Sequence, residues 1–278
     1  MATELRPPLS NWSTNRINRI KLLIQFDGTD YCGWAEQAKQ KSILGTLKSC
    51  IKEISGETPD LRGCSRTDSG AHAIGMVADF STDNPMESEK WAFVINRLLP
   101  DDIRVHESAE TPMEFHSRFF ARSREYVYRI ALADKPEPFR ARYVYGTWRK
   151  LELNSMQRAA SFLNGTNDFR AFGEELVDLK NAVREVKKID VTQTGDEIRL
   201  RVEATAFIRG MMRRIAGGLL EVGCGKRTVE DFRILTDLKR RDEVNWPVVL
   251  PAKGLTLVKA KYGRTLRDYR ELVAESDE

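Results

Sequence analysis

Apolar and polar positions fall into short runs along the chain, some with the period of a strand and others with that of a helix. The apolar run "IKLLIQF" (20–26) predicts a strand that ends at the turn-like "DGTDYCGW". Over 42–55, Ile43, Leu44, Leu47, Ile51 and Ile54 share one face of a predicted helix. "GMVADFS" (75–81) predicts a strand, "SEKWAFVINRLLP" (88–100) a helix stopped by Pro100, and "DIRVHESAE" (102–110) another strand. The pattern then restarts. "FHSRFFARSREYVYRIALAD" predicts one or two long aromatic strands, and "NSMQRAASFLNGTNDF" (154–169) a helix capped by Asn154 and closed near Asn164-Gly165. Residues 182–207 predict two strands around a turn at Thr194-Gly195-Asp196. Helices follow over 209–223 and over 228–238, the second capped by Thr228, and "GLTLVKAKY" (254–262) predicts a last strand.

Two halves that each alternate strands and helices, with hairpin-like connections, predict an α+β fold of mainly antiparallel sheets. The expected organisation is a loose polar leader over 1–18, an N-terminal α/β domain over 19–112 and a C-terminal one over 113–263. A charged tail over 264–278 is expected to be a surface helix or disordered.

Composition narrows the class of protein. The chain has 278 residues, 41% hydrophobic and 31% charged, which suits a soluble globular protein with a sizeable core. It contains no apolar run of membrane-spanning length, and its first residues lack the apolar core of a signal peptide, which points to the cytoplasm. Cys32, Cys50, Cys64 and Cys224 form no CxxC pair, and His72, His106 and His116 form no metal-ligating pattern, so neither a zinc site nor a disulfide framework is expected. A net charge of +4 alone decides nothing. The clustering of that charge does: Arg118, Arg122, Arg124 and Arg129 are interleaved with five aromatics between Phe115 and Arg129, and "FIRGMMRR" adds Arg209, Arg213 and Arg214. Arginines beside aromatics suit phosphate pairing and base stacking, which makes nucleic acid a candidate partner.

One polar loop stands out. "GCSRTDSGAHA" (63–73) sets Asp68 among small, flexible residues, where a carboxylate ordinarily accepts backbone N–H bonds of a turn. Arg66, two positions away, is its nearest candidate ionic partner, because side chains i and i+2 of an extended segment share a face. The longer stretch "GCSRTDSGAHAIGMVADF" resembles the signature of the TruA family of tRNA pseudouridine synthases. "FDGTDYCGW" (26–34), "FHSRFFARSREYVYRI", "LNGTNDFRAF" (163–172), "FIRGMMRRIAGGLLEVG" (207–223) and "AKGLTLVKAKY" (252–262) are similar to further family segments, in the same order, from about residue 20 to 262. The sequence departs from the family pattern at Ser69-Gly70-Ala71, at Ala35 and at Ser42-Ile43-Leu44.

The resemblance implies a pseudouridine synthase fold with one continuous central sheet, a tRNA substrate, a homodimer and no cofactor or metal. It implies that Asp68 is the nucleophile or base that starts the reaction, that Arg213 pairs with it, that Arg66 helps displace the base and order the RNA, and that Tyr126 stacks on the target uracil and is a candidate for removing the C5 proton. Arg214 competes with Arg213 for its role, although helical geometry points the two about 100° apart. His72 is read as equally suited to an RNA contact or a structural role; Asp27 and Gly28 shape the first turn, Tyr31 and Trp34 pack beneath the sheet, and Asn167 and Asp168 belong to a loop. Three other readings compete: an RNA-binding protein without catalysis, a glycoside hydrolase, and a nucleotide-binding enzyme. The first does not explain all four active-site residues, the second lacks an evident second carboxylate, and the third lacks GxxxxGK[ST] and GxGxxG motifs.

Overall fold

Period-two burial governs the first strand. Ile20, Leu22, Ile24 and Phe26 are buried on one face, whereas Lys21 and Gln25 on the other are exposed. The computed structural model describes residues 17–174 and 181–263. In chain order the elements are β1 (Asn18–Phe26), α1 (Ile43–Ser55), β2 (Arg62–Gly63), β3 (His72–Thr82), α2 (Lys90–Asn96) and β4 (Ile103–Thr111). Then follow β5 (Ala121–Ala131), α3 (Pro138–Ala141), β6 (Tyr145–Gly146), α4 (Leu153–Ser161) and β7 (Gly165–Asp168). The last are β8 (Val183–Thr194), β9 (Glu197–Ala204), α5 (Met211–Gly223), α6 (Val229–Ile234) and β10 (Leu255–Tyr262).

All ten strands among the described residues belong to one sheet, whose main path runs β4-β1-β3-β10-β5-β9-β8-β7, with β2 beside β3 and β6 beside β5. Pairing is antiparallel except for β3 with β10 and β5 with β6, so the expected α+β class with one continuous, mainly antiparallel sheet holds. The junction at the centre is narrow. β10 meets β3 at only Thr256↔His72 and Leu257↔Ala73, whereas it lies against β5 along nearly its whole length. Beyond the junction β3 pairs with β2 instead, and the chain leaving β2 enters the gap between the two parts of the sheet. α2 packs on β4, α4 on β8 and α5 on β5, all joined in one apolar core.

Several boundaries differ from the sequence reading. The predicted helix over 154–169 is two elements: α4 stops at Ser161, and Gly165–Asp168 forms the edge strand β7. Its cap is Glu152, whose carboxylate accepts the N–H groups of Asn154 and Ser155, so Asn154 lies inside the helix and does not cap it. β3 begins at His72, inside the stretch read as a turn. "FHSRFFARSREYVYRIALAD" yields one strand, because a tight turn occupies residues 115–120. α6 ends at Ile234, and its predicted Thr228 cap is present as a reciprocal capping box with Asp231. The leader residues 1–16 and the tail 264–278 lie outside the described residues, and Asn18 is already paired with Thr82. Among the described residues no helix is long and apolar enough to cross a membrane.

Candidate active site

Two polar segments far apart in sequence build the floor of the site. The Asp68 loop, between β2 and β3, is sewn to the turn that follows β1. Trp34 N–H donates to the Thr67 carbonyl at 3.2 Å, and Ser69 Oγ and Gly70 N–H donate to the Tyr31 carbonyl at 3.2 and 3.3 Å. The approach is so close that it demands glycine. A Cβ on Gly28 would fall 1.9 Å from the Ala71 carbonyl oxygen, and one on Gly33, whose φ is +105°, would fall 2.4 Å from that of Thr67. Tyr31 and Trp34 are buried beneath, as expected.

Asp68 faces α5 across the gap. Arg213, in the first turn of that helix, donates from one terminal nitrogen to Asp68 Oδ2 at 3.2 Å and from Nε to the Leu250 carbonyl at 2.7 Å. Both side chains are partly open, Asp68 to 25% and Arg213 to 21%. The carboxylate therefore keeps a route to solvent while an arginine fixes its orientation. The neighbouring Arg214 turns away and donates to the Pro247 carbonyl at 3.0 Å.

Tyr126 comes from β5, on the core face of the strand. It is buried, its hydroxyl donates to Ser65 Oγ at 2.8 Å, and its ring meets Phe207 edge-on at 4.8 Å between centroids. Burial pushes the phenol well above its ordinary pKa, with a smaller contribution from the Asp68 charge. The hydroxyl thus keeps its proton at neutral pH.

Asp68, Tyr126 and Arg213 are brought together around one gap, whereas Arg66 is not the ionic partner of Asp68 that its spacing suggested. Its side chain is exposed, and the carboxylate is engaged by Arg213 from another element. His72 is buried: its Nδ1 accepts the Gly28 N–H at 3.2 Å and lies 3.1 Å from Asp27, and its Nε2 faces the carbonyls of Arg142 and Lys253. Burial raises the pKa of Asp27, but hydrogen bonds from Thr29 and Tyr143 outweigh it and hold the carboxyl below its usual range. Asn167 and Asp168 lie in β7 rather than in a loop; Asp168 accepts the Arg170 N–H and pairs with Arg170 and Arg241.

Sequence reasoning passed over Ser65 and Phe207, which hold Tyr126, and grouped Arg124 with the arginines suited to phosphate pairing, whereas its side chain is turned inward. The Arg124 guanidinium is buried and donates to the carbonyls of Cys64, Arg118, Ala121 and Thr205. All three lie in the matching segments, but only the fold shows that they converge on the loop.

Comparison with known proteins identifies the family. A family model described as tRNA pseudouridine synthase matches residues 159–263. The tRNA pseudouridine synthase A of Acetivibrio thermocellus is 36% identical over 246 residues, covering 88% of this chain and 100% of its own. That of Citrifermentans bemidjiense is 38% identical over 246 residues, covering 88% and 98%. A protein of Clostridium tetani, tRNA pseudouridine synthase A 2, is 38% identical over 245 residues, covering 87% and 98%. With identity of this level along nearly the full length of each relative, the chain belongs to the tRNA pseudouridine synthase A family.

Proposed function

We propose that this protein isomerises uridine to pseudouridine in the anticodon stem-loop of tRNA, at positions 38, 39 and 40, with Asp68 as nucleophile. The observation that carries this reading is the partly open Asp68 carboxylate, held by Arg213 at 3.2 Å next to the buried ring of Tyr126. A stacked base hides the reacting atoms, so the uridine must first leave the helix. The bond from N1 to C1′ then breaks, the uracil turns, C5 bonds to C1′, the C5 proton leaves and N1 takes up a proton. Substrate and product are isomers, so the balance requires no oxidant, reductant or group carrier. Asp68 supplies a carboxylate able to act covalently and leave again. Arg213 orients that carboxylate through a charge-assisted hydrogen bond. Tyr126, with its proton held by burial, is not a standing phenolate base; for the uracil to stack on its ring, RNA binding must first open that ring to the cleft. Arg66, exposed at the loop rim, is free to order the RNA backbone.

The two parts of the chain, 19–112 and 113–263, act as the two walls of this cleft, and a homodimer in the cytoplasm carries one tRNA across both subunits. Sedimentation tests the dimer: a single species at monomer mass at working concentration contradicts it. Tritium release from tRNA labelled at C5 of uridine tests the reaction. The wild type is expected to release the label and Asp68→Ala to release none above background; full release by the variant would sink the assignment of Asp68.

A further inference from the structure

Phe119 is 52% exposed although its neighbour Phe120 and the nearby Phe115 are buried. Its ring lies 4.3 Å, centroid to centroid, from that of His116, and the Arg118 guanidinium carbon lies 5.5 Å from its centroid. The turn that displays these side chains is firmly held. Asp79, completely buried, accepts the Ser117 N–H at 2.7 Å, and Ser117 Oγ donates to the Arg62 carbonyl at 2.9 Å. The Tyr262 hydroxyl donates to the Ser117 carbonyl at 2.7 Å, and His116 Nδ1 accepts the Arg118 N–H at 3.1 Å. Arg124 ties the turn to the Asp68 loop, donating to the carbonyls of both Arg118 and Cys64.

The charges here are unbalanced. Arg66 and Arg118 are both exposed, and among the described residues neither has a carboxylate partner. Partial desolvation of the guanidinium, and then the positive charges of Arg66 and Arg124, lower the pKa of Arg118 although its side chain still reaches solvent. Two guanidinium groups that repel each other are relieved by a bound polyanion. An exposed aromatic ring beside Arg118 adds a platform for an unstacked base, and the combination suits loop or single-stranded RNA rather than a regular duplex.

We propose that the His116–Phe119 turn, together with Arg66, is a second RNA-contact element that grips phosphates and stacks a base flanking the reacting nucleotide. It rests on the tRNA reading above and adds Arg118 and Phe119 as substrate-positioning residues. Rigid linkage through Arg124 fixes the distance between this grip and Asp68, so a bound RNA is held in register with the carboxylate.

The test uses the full chain, a fluorescently labelled anticodon stem-loop hairpin for binding by anisotropy over a salt series, and tritium release for turnover. Arg118→Ala is expected to weaken binding and to reduce the slope of log Kd against log salt by about 0.7 to 0.9, the loss of one phosphate contact. Phe119→Ala is expected to weaken binding by about tenfold to a hundredfold with the slope unchanged, and Phe119→Tyr, which keeps the ring, to restore most of it. In both alanine variants KM should rise by more than kcat falls. Lys90→Ala removes the same charge from an exposed pair with Glu87 and should leave affinity and slope as they are. If both alanine variants bind the hairpin like the wild type while the wild type turns over tRNA, the RNA-contact element is overturned and the isomerase reading stands. If the wild type does not turn over tRNA, yet hairpin binding still depends on Arg118 and Phe119, the element stands and the isomerase reading falls.

Discussion

Arg213→Lys keeps a cation on α5 but removes the geometry that Arg213 uses, two donors directed to different acceptors. A charge pair at 3.2 Å is worth about 5 kcal/mol at an effective dielectric of about 20. Because Asp68 and Arg213 are 25% and 21% exposed, water screens part of that, and about 2 to 3 kcal/mol remains, the range of a charge-assisted hydrogen bond. If this energy orients Asp68 for attack, Arg213→Ala should lower the single-turnover rate by about 30- to 150-fold. Lysine can serve Asp68 or the Leu250 carbonyl but not both, so Arg213→Lys should recover only part of the loss, to within about tenfold of wild type. Arg214→Ala is the internal comparison. Its guanidinium bonds Pro247 and should cost less than about threefold in the same assay. Tritium release under single-turnover conditions, with saturating enzyme, separates this effect from binding. An Arg213→Ala variant as fast as wild type, or an Arg214→Ala variant as slow as Arg213→Ala, would refute the assignment of the Asp68 partner.

Gly33→Ala should destabilise the fold by about 2 kcal/mol or more, because the new methyl meets the Thr67 carbonyl at 2.4 Å and φ is +105°. Activity should fall further than the loss of folded protein accounts for, since Thr67 adjoins Asp68; a variant with normal thermal stability contradicts the close approach. Glu197 supplies a test at acid pH. Burial raises its carboxyl pKa, but hydrogen bonds and charge from Arg129 and Arg199 outweigh this and bring it from 4.5 down to about 2. A depressed pKa stabilises the folded state above about pH 4.5, and the contribution is lost as pH falls towards 2. Glu197→Gln should therefore cost about 3 kcal/mol in urea unfolding at pH 7 and about half of that at pH 3. An equal cost at both values would show that the ion pairs are not its source.

Much of this fold is legible in sequence because burial on one side of a sheet imposes a period on the residues. Ile20, Leu22, Ile24 and Phe26 identify β1, and Met211, Met212, Ile215 and Leu219 identify α5. The misreadings share a cause. β7 is Gly-Thr-Asn-Asp, an edge strand with no buried position, so nothing periodic distinguishes it from the tail of a helix. Glu152 caps α4 although asparagine is the more favoured cap residue, and the choice depends on a tertiary contact, the Glu152 N–H held by the Gly223 carbonyl at the end of α5. At the site, Asp68 could be singled out only by its resemblance to a family signature. The partner it meets, 145 residues later, is a tertiary fact. Local spacing pointed to Arg66, but the loop turns its side chain outward and the carboxylate towards α5. His72 could not be judged from its neighbours, because its two ring nitrogens find Gly28, Arg142 and Lys253 on three separate segments.

The place of β10 also has a consequence for how the cleft comes into being. A ribosome delivers strands in chain order, and β10 is made after every other strand of the sheet. Until Leu255–Tyr262 emerge, β3 and β5 have no strand between them, and the Leu250 carbonyl that anchors Arg213 is only just synthesised. Each half of the sheet has strand pairs of its own that precede β10 in the chain, and in the main path of the sheet β10 alone joins β3 to β5. The nascent chain thus carries Asp68 and Tyr126 long before β10 exists to join the strands that hold them, and the two-residue contact of β10 with β3 is the seam across which the site is closed.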